Sequence, residues 1–486
     1  MDPVLSNLKP ALLWKHFDEI RKIPHGSGNE AAIGEYVKSV ARVNNCEFNS
    51  DEVGNVVIRK PASKGYENVE IVILQSHLDM VCEKNSDVDF DFEKDPIQLT
   101  LEGDWLSANG TTLGADNGIG VAAALAVLED NTITHGPLEL LFTVDEETGL
   151  TGAGYIKPDF LKGKKYLNMD SEEEGVFTIG CSGGADSIIS LPAKKVAAPK
   201  GSALRIKVTG LKGGHSGLDI NGGRGNAIKI LTRTLWAGNE VDSIALANIN
   251  GGNKRNAIPR ETFAEIVIDS ENLEAVKQAM HAVFKDIQVE FKAVEKDLKL
   301  EIVPLEAVPS QVFSEETKTT LLKLLFGLPH GVLAMSREIP GLVETSTNLA
   351  TINTKMNEIV IDQSSRSSIK SALVATRTKL KALAELADGT IEQPEGYPGW
   401  APDLNSEILK ISKDVYTEIF GKQPKVAAIH AGLECGIIGE KFPGMDMVSF
   451  GPDLRNPHSP DEKVHVGTVE RFWKHLVGIL ETIATK

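Results

Sequence analysis

Only four of the 486 residues are cysteine (Cys46, Cys82, Cys181 and Cys435), and no two of them have CxxC spacing. That scarcity argues against a disulfide framework and for a reducing, cytoplasmic compartment. No apolar stretch approaches the length needed to span a bilayer. The opening MDPVLSNLKPALLWKHF lacks a basic segment followed by an apolar one, so no secretory signal is expected. Positive charge is in deficit: 51 Lys and Arg against 68 Asp and Glu leave a formal charge of -17. Nucleic acid and anionic membrane are therefore poor partners. What remains, 41% apolar and 24% charged residues, is the composition of a soluble globular protein. Its length exceeds one ordinary hydrophobic core, which implies two or more domains.

The first third alternates short apolar runs with helical patterns. NVEIVILQS (68–76), PLELLFTV (137–144) and KKYLNMD (164–170) read as buried strands, and GIGVAAALAVLED (118–130) reads as a helix. Such alternation implies an α/β architecture with a mixed, mostly parallel sheet flanked by helices, whose sites lie at the carboxyl ends of strands. From about Ala185 to about Glu395 the pattern changes to strand, helix, strand, strand, helix, as in an inserted α+β domain. AEIVIDSENLEAVKQAM (264–280) is echoed by NEIVIDQSSRSSIKSAL (357–373), each leading into a helix, here expected over 272–284 and 367–386. The echo points to an internal duplication. The Gly- and Pro-rich stretch 389–403 reads as the way out of the insert.

Acids and histidines gather at the exits of the early strands. His77 ends one apolar run with Asp79 two residues on, a pairing in which a carboxylate orients a metal-binding imidazole. An HxD pair alone is equally a surface turn. Asp116 precedes a helix, where an acid is commonly a cap, but Asn117 can serve as that cap and leave Asp116 free. Asp145, Glu146 and Glu147 follow the next strand, and Asp170 the one after. Recurrence at one edge of one sheet favours a shared cleft over four separate loops. Imidazole with carboxylates suits Zn, Mn or Co better than Mg or Ca. A carboxylate bridging two ions requires a fifth ligand, for which His430, His458 and His465 are all candidates by spacing.

SHLDMV, TTLGADNGIG, VDEETGLTGA, NMDSEE and NPHSPDE, in that order, resemble the motifs of the dinuclear zinc peptidases and deacylases related to glutamate carboxypeptidase, peptidase T and carnosine-type dipeptidases. IRKIPHGSGNE, GGHSGLDI and GGNKRNAIP match as well, while HAGLECG and DQSSRSSIKS resemble the bacterial aminoacyl-histidine dipeptidase branch. The resemblance covers essentially the whole chain. It implies a catalytic domain of residues 1–185 and 395–486, with a lid and dimerisation domain over 186–394.

The same resemblance implies two Zn2+ per subunit, replaceable by Co2+ or Mn2+. Asp116 would bridge them, His77 and Asp170 would bind one ion, and Glu147 and His458 the other. Glu146 would be the general base and Asp79 the residue orienting His77. His215 would be the lid donor to the oxyanion and Asn256 a contact to the substrate backbone. Arg366 suits a terminal carboxylate, although an arginine at a helix start is often only a surface residue. Glu434 is a candidate partner for a free α-amine, on the need for a counter-charge. The implied activity is hydrolysis of unblocked dipeptides, Xaa-His included, by a cytoplasmic homodimer. An aminotripeptidase, a carboxypeptidase or an N-acyl amino acid deacylase would use the same site. Relatives with a short lid lend the lid histidine across a dimer, and a doubled lid would let one copy stand in for the partner. GLTGAG (149–154) lacks the order of a dinucleotide fingerprint.

Overall fold

The computed structural model describes residues 1–486, which form two compact units: Met1–Cys181 with Trp400–Ala428 and Leu433–Lys486, and Ser182–Gly399 with Ile429–Gly432. No helix is long and apolar enough to cross a membrane.

The first unit is built on an eight-stranded sheet. Its centre is four parallel neighbours, Leu138–Thr143, Val72–His77, Lys165–Asn168 and Asp446–Ser449. Antiparallel strands Val56–Lys60 and Glu47–Ser50 extend one side. Every residue of the first three central strands is buried, as expected for a sheet covered by helices on both faces. The helix Ala115–Glu129 is apolar all round and fully packed, so it is an internal element rather than an amphipathic one. Gly120 makes its close approach possible: a Cβ there would lie 2.8 Å from the Met169 carbonyl oxygen, just before Asp170. A separate four-stranded sheet, Leu454–Arg455, Lys463–His465, Trp105–Ala108 and Leu99–Glu102, carries the loop that holds His458.

The second unit is a nine-stranded antiparallel sheet with helices packed over one core. Ser202–Thr209, helix Ala227–Val241, Ala245–Gly251, Thr262–Ile268, helix Leu273–Phe291 and Lys299–Pro304 form a βαββαβ half with strand order 4-1-3-2. Gly183–Pro192, helix Glu315–Gly327, Val343–Thr354, Glu358–Ser367, helix Lys370–Leu386 and Thr390–Glu392 repeat the plan in the order 2-3-1-4. The halves join where Asn250 and Gly251 pair with Asn353 and Ile352. The two EIVID segments both lie on the third strand of a half, and Ile266, Ile268, Ile359 and Ile361 all point into the same core. The duplication is nested, because the first strand of one half precedes the whole of the other in the chain.

Two local expectations are corrected. Arg366 does not start a helix: the strand runs on through Ser367 and the helix begins at Lys370. Hydroxyl pairs hold this polar stretch in the sheet, Ser365 with Thr347 and Ser367 with Thr345, each at 2.9 Å. Asn117 is not a helix cap. It leaves helical geometry, and its side-chain amide donates to the Met169 carbonyl (2.8 Å) and the Asp170 carboxylate (2.6 Å).

Candidate active site

Three adjacent parallel strands end at one edge of the first unit, delivering His77, the Glu146–Glu147 turn and Asp170. His77 Nδ1 donates to the Asp79 carbonyl at 2.9 Å and lies 3.3 Å from its carboxylate. That bond places a proton on Nδ1 and turns Nε2 toward Asp116 (3.2 Å) and Asp170 (3.3 Å). Asp79 also accepts the backbone N–H groups of Glu146 (3.0 Å) and Glu147 (3.1 Å), so one buried carboxylate orients both the histidine and the acidic turn. The turn enters through Asp145 in the left-handed region (φ 50), a conformation that sets the next two side chains toward His77.

Asp116 faces two ways. Oδ1 approaches His77, and Oδ2 lies 3.3 Å from Nε2 of His458, which in turn is 3.0 Å from Glu147. His458 too sits at positive φ (59), in the loop Asn456–Glu462. Four donor groups result, each with its candidate ligand atoms within 4.8 Å of one another: His77 with Glu146 and Glu147, Glu30 with Asp79 and Asp145, His77 with Asp116 and Asp170, and Asp116 with Glu147 and His458. The last two share Asp116.

The electrostatics show what the cluster lacks. Burial disfavours a charged His77, yet the charge of Asp170 and bonds to Asp116, Asp170 and Asp79 raise its pKa well above the usual value. Bonds to Asp116 and Glu147 lift His458 to about 11. Those imidazoles hold the Asp116 carboxyl below its ordinary range despite burial. Burial and then the neighbouring acids raise Asp170 to about 6 and Glu146 well above a normal carboxyl. Protons on the histidines thus act as the counter-charge for a concentrated set of acids. Cations would fit the same place: the donors are imidazole nitrogens and carboxylate oxygens, and Oε1 of Glu147 is buried with no partner.

Glu434 is 1% exposed. Its Oε2 accepts from Gln75 (2.5 Å) and Thr143 (2.8 Å), and Oε1 has no partner. Burial, outweighing the pull of His77, lifts its pKa to about 7.

The remaining candidates lie in the second unit. His215 Nδ1 accepts the N–H groups of Gly217 (3.2 Å) and Leu218 (3.0 Å), which places its proton on Nε2. The guanidinium of Arg366, a donor only, is 3.4 Å from that Nε2, a near contact rather than a competing bond. Burial and the Arg366 charge lower the His215 pKa, keeping the ring neutral. Arg366 is itself buried; it donates to Tyr397 Oη (2.5 Å) and Ser216 Oγ (3.4 Å) and lies beside that imidazole, and none of the three is anionic. Asn256 is exposed, and its carbonyl accepts the N–H of Ser216 (2.8 Å).

Three supporting residues have no role in the sequence reading, and a fourth, His430, entered it only as a possible fifth ligand, a place the donor groups give to His458. Ser27 donates to Asp79 at 2.7 Å, and Glu30 accepts the N–H of Asp145 at 3.0 Å; both lie within the IPHGSGNE motif. Glu462, in NPHSPDE, accepts backbone N–H groups ahead of Asp116. His430 joins the second unit through Ile429–Gly432 and bonds Ser346 at 2.7 Å.

The sequence profile of peptidase family M20/M25/M40 matches residues 73–482. The chain belongs to this family. It is 42% identical over 483 residues to the cytosol non-specific dipeptidase of Escherichia coli (strain K12), covering 99% of both chains. The crystal structure of an aminoacylhistidine dipeptidase from Vibrio alginolyticus superposes with a TM-score of 0.92 at 44% identity, over 98% of each chain. Aminopeptidase PepT from Bacillus cereus, at 17% identity, covers 98% of this chain and 99% of its own with a TM-score of 0.56, a likeness of fold alone. The M20 architecture is thus a catalytic α/β unit with an inserted lid.

Proposed function

We propose that this protein is a metal-dependent dipeptidase that hydrolyses unblocked dipeptides, Xaa-His dipeptides among them, in the cytoplasm. The observation that carries this reading is Asp116, shared by two groups that each add one histidine and one further carboxylate. The names of the Escherichia coli and Vibrio alginolyticus relatives support the choice of a dipeptide over longer or acylated substrates.

Two Zn2+ per subunit, replaceable by Co2+ or Mn2+, would be held by His77 and Asp170 on one side and by Glu147 and His458 on the other, with Asp116 between. Bound there, the ions supply Lewis acidity that activates a carbonyl and acidifies a water near neutral pH. The protein's own residues do the rest. Glu146 takes the proton of the attacking water on its carboxylate and returns it to the departing amine. Asp79 keeps His77 and the Glu146 backbone in register. The Nε2–H of neutral His215 donates to the developing oxyanion, a bond that strengthens as negative charge forms. Arg366 binds the substrate carboxylate, Asn256 the substrate backbone, and the unpartnered Oε1 of Glu434 the free α-amine. Residues 186–394 act as the lid that excludes water, and the protein assembles as a homodimer, which light scattering would test.

The test is hydrolysis of an unblocked Xaa-His dipeptide by purified protein before chelation, after it and after zinc is returned. Loss and recovery of turnover is the expected result. No turnover in the metal-loaded protein, with cleavage of a tripeptide or an N-acyl amino acid instead, would move the substrate to those classes. Turnover indifferent to complete metal removal would overturn the mechanism.

A further inference from the structure

Four residues beyond His458, the side chain of Glu462 turns inward and is 2% exposed. Its carboxylate accepts four successive backbone N–H groups. Oε2 takes those of Leu113 (2.7 Å) and Gly114 (3.1 Å), and Oε1 those of Ala115 (2.8 Å) and Asp116 (3.2 Å). The start of a helix leaves such donors without intrahelical partners. Gly114, at the N-cap, has no side chain to cap them, and its positive φ (71) closes the turn so that the donors converge on one anion.

This cap does more than finish a helix. Asp116 sits on the last of the four N–H groups, in extended rather than helical geometry (φ -84, ψ 105), with its carboxylate directed to His77 and His458. Glu462 and His458 share one loop, between strands Leu454–Arg455 and Lys463–His465. The base of that loop is clamped by Trp105, whose ring lies 4.6 Å from the Arg455 guanidinium and 5.4 Å from the Lys463 ammonium. One carboxylate therefore ties the turn that carries the shared ligand to the loop that carries His458.

We propose that Glu462 is a positioning residue for the metal centre: it presets the Leu113–Asp116 backbone, and with it the Asp116 carboxylate, before any ion binds. This rests on the two-ion reading above. A cap that served the fold alone would change melting but not metal affinity.

The experiment is calorimetric titration of chelator-treated, full-length protein with Zn2+, for the wild type, Glu462→Gln and Glu139→Gln. The amide of Glu462→Gln keeps the size but has one acceptor oxygen and turns an NH2 toward the other N–H donors. Glu139 is a second buried carboxylate that accepts backbone N–H groups, those of Lys162 (2.8 Å) and Gly163 (3.0 Å), but it is not among the candidate ligands. Glu462→Gln is expected to weaken zinc binding roughly 10- to 100-fold, the usual effect of losing a residue that orients a ligand. Glu139→Gln should melt earlier and bind zinc as the wild type does. A wild type that fails to take two ions defeats the two-ion reading; wild-type affinity in Glu462→Gln overturns the role given to Glu462. If that variant does not fold, hydrogen exchange of the 113–116 amides in the wild type decides. Protection with and without zinc is expected, and protection that arises only with zinc overturns the proposal.

Discussion

The candidate residues of the two units are opposite in charge, and in neither is the charge matched by the opposite charge of a Lys, Arg, Asp or Glu side chain. In the first unit, five carboxylates (Asp116, Glu146, Glu147, Asp170 and Glu434) crowd around two histidines. In the second, a buried arginine, Arg366, keeps only uncharged company. Histidine reports the difference. Carboxylates raise His77 and His458, whereas burial and Arg366 lower His215 and His430. The acids of the first unit thus favour positive charge beside the imidazole, as a proton or as a bound cation, whereas the second unit favours a neutral ring. Uncompensated buried charge is costly, and a ligand of opposite charge would offset that cost. The first unit offers acids to cations and the second offers a guanidinium to an anion, the place proposed above for the substrate carboxylate.

The strongest way to break the acidic half of this comparison is to remove the acid both groups share. Asp116→Ala should lose both ions and fall to background activity, with metal content measured by elemental analysis. Retention of two ions at wild-type affinity would mean that Asp116 does not join the groups. Next in size is Glu146→Gln. It should keep both metals and lose ~10²–10⁴-fold in kcat, the range for a general acid–base group. A variant that lost metal instead would make Glu146 a ligand and leave Glu147 as the base, an assignment that adjacency in the sequence cannot decide.

What could be read in the sequence follows from what each residue does. Residues whose function needs their own side chain at a strand exit, such as His77, Glu147 and Asp170, stand out because an apolar run stops at them. Residues that act by accepting backbone N–H groups elsewhere in the chain leave no such mark. Glu462 and Glu30 serve turns distant in sequence, and no periodicity links them. Arg366 was misplaced for a related reason. QSSRSS reads as the approach to a helix, but in the fold its hydroxyls pair across to Thr345 and Thr347, carrying the strand begun by Ile359 and Ile361 through a stretch without apolar residues. The EIVID echo marked the duplication because both copies bury the same isoleucines. Its nesting was hidden, since Gly183–Pro192 pairs with a strand far along the chain.

The basic half of the comparison is probed by Arg366→Ala. Truncating one partner of a buried charge pair costs ~2–5 kcal/mol, so KM for an unblocked dipeptide should rise on the order of 10²-fold or more with a smaller change in kcat. A dipeptide with an amidated C-terminus, which offers no carboxylate, should respond far less. Equal losses on both substrates would remove the anion from the account of the second unit.

The smallest effect expected is on stability, and it concerns His430. Burial and then the Arg366 charge lower this imidazole from 6.5 to about 4, with Ser346 bonded at Nε2. A base whose folded pKa is depressed stays neutral in the native state while the unfolded chain takes up a proton. Its contribution is therefore complete above about pH 6.5 and is lost as the pH falls toward 4. His430→Gln, which cannot titrate, supplies the reference. The stability difference between wild type and variant, from urea midpoints, should be constant above pH 7 and then shift against the wild type by at most about 1.4 kcal/mol per pH unit. Adding Arg366→Ala to both proteins should weaken that shift, because it removes the second cause of the depressed pKa. A difference independent of pH would mean that His430 does not share the electropositive environment that sets the second unit apart from the first.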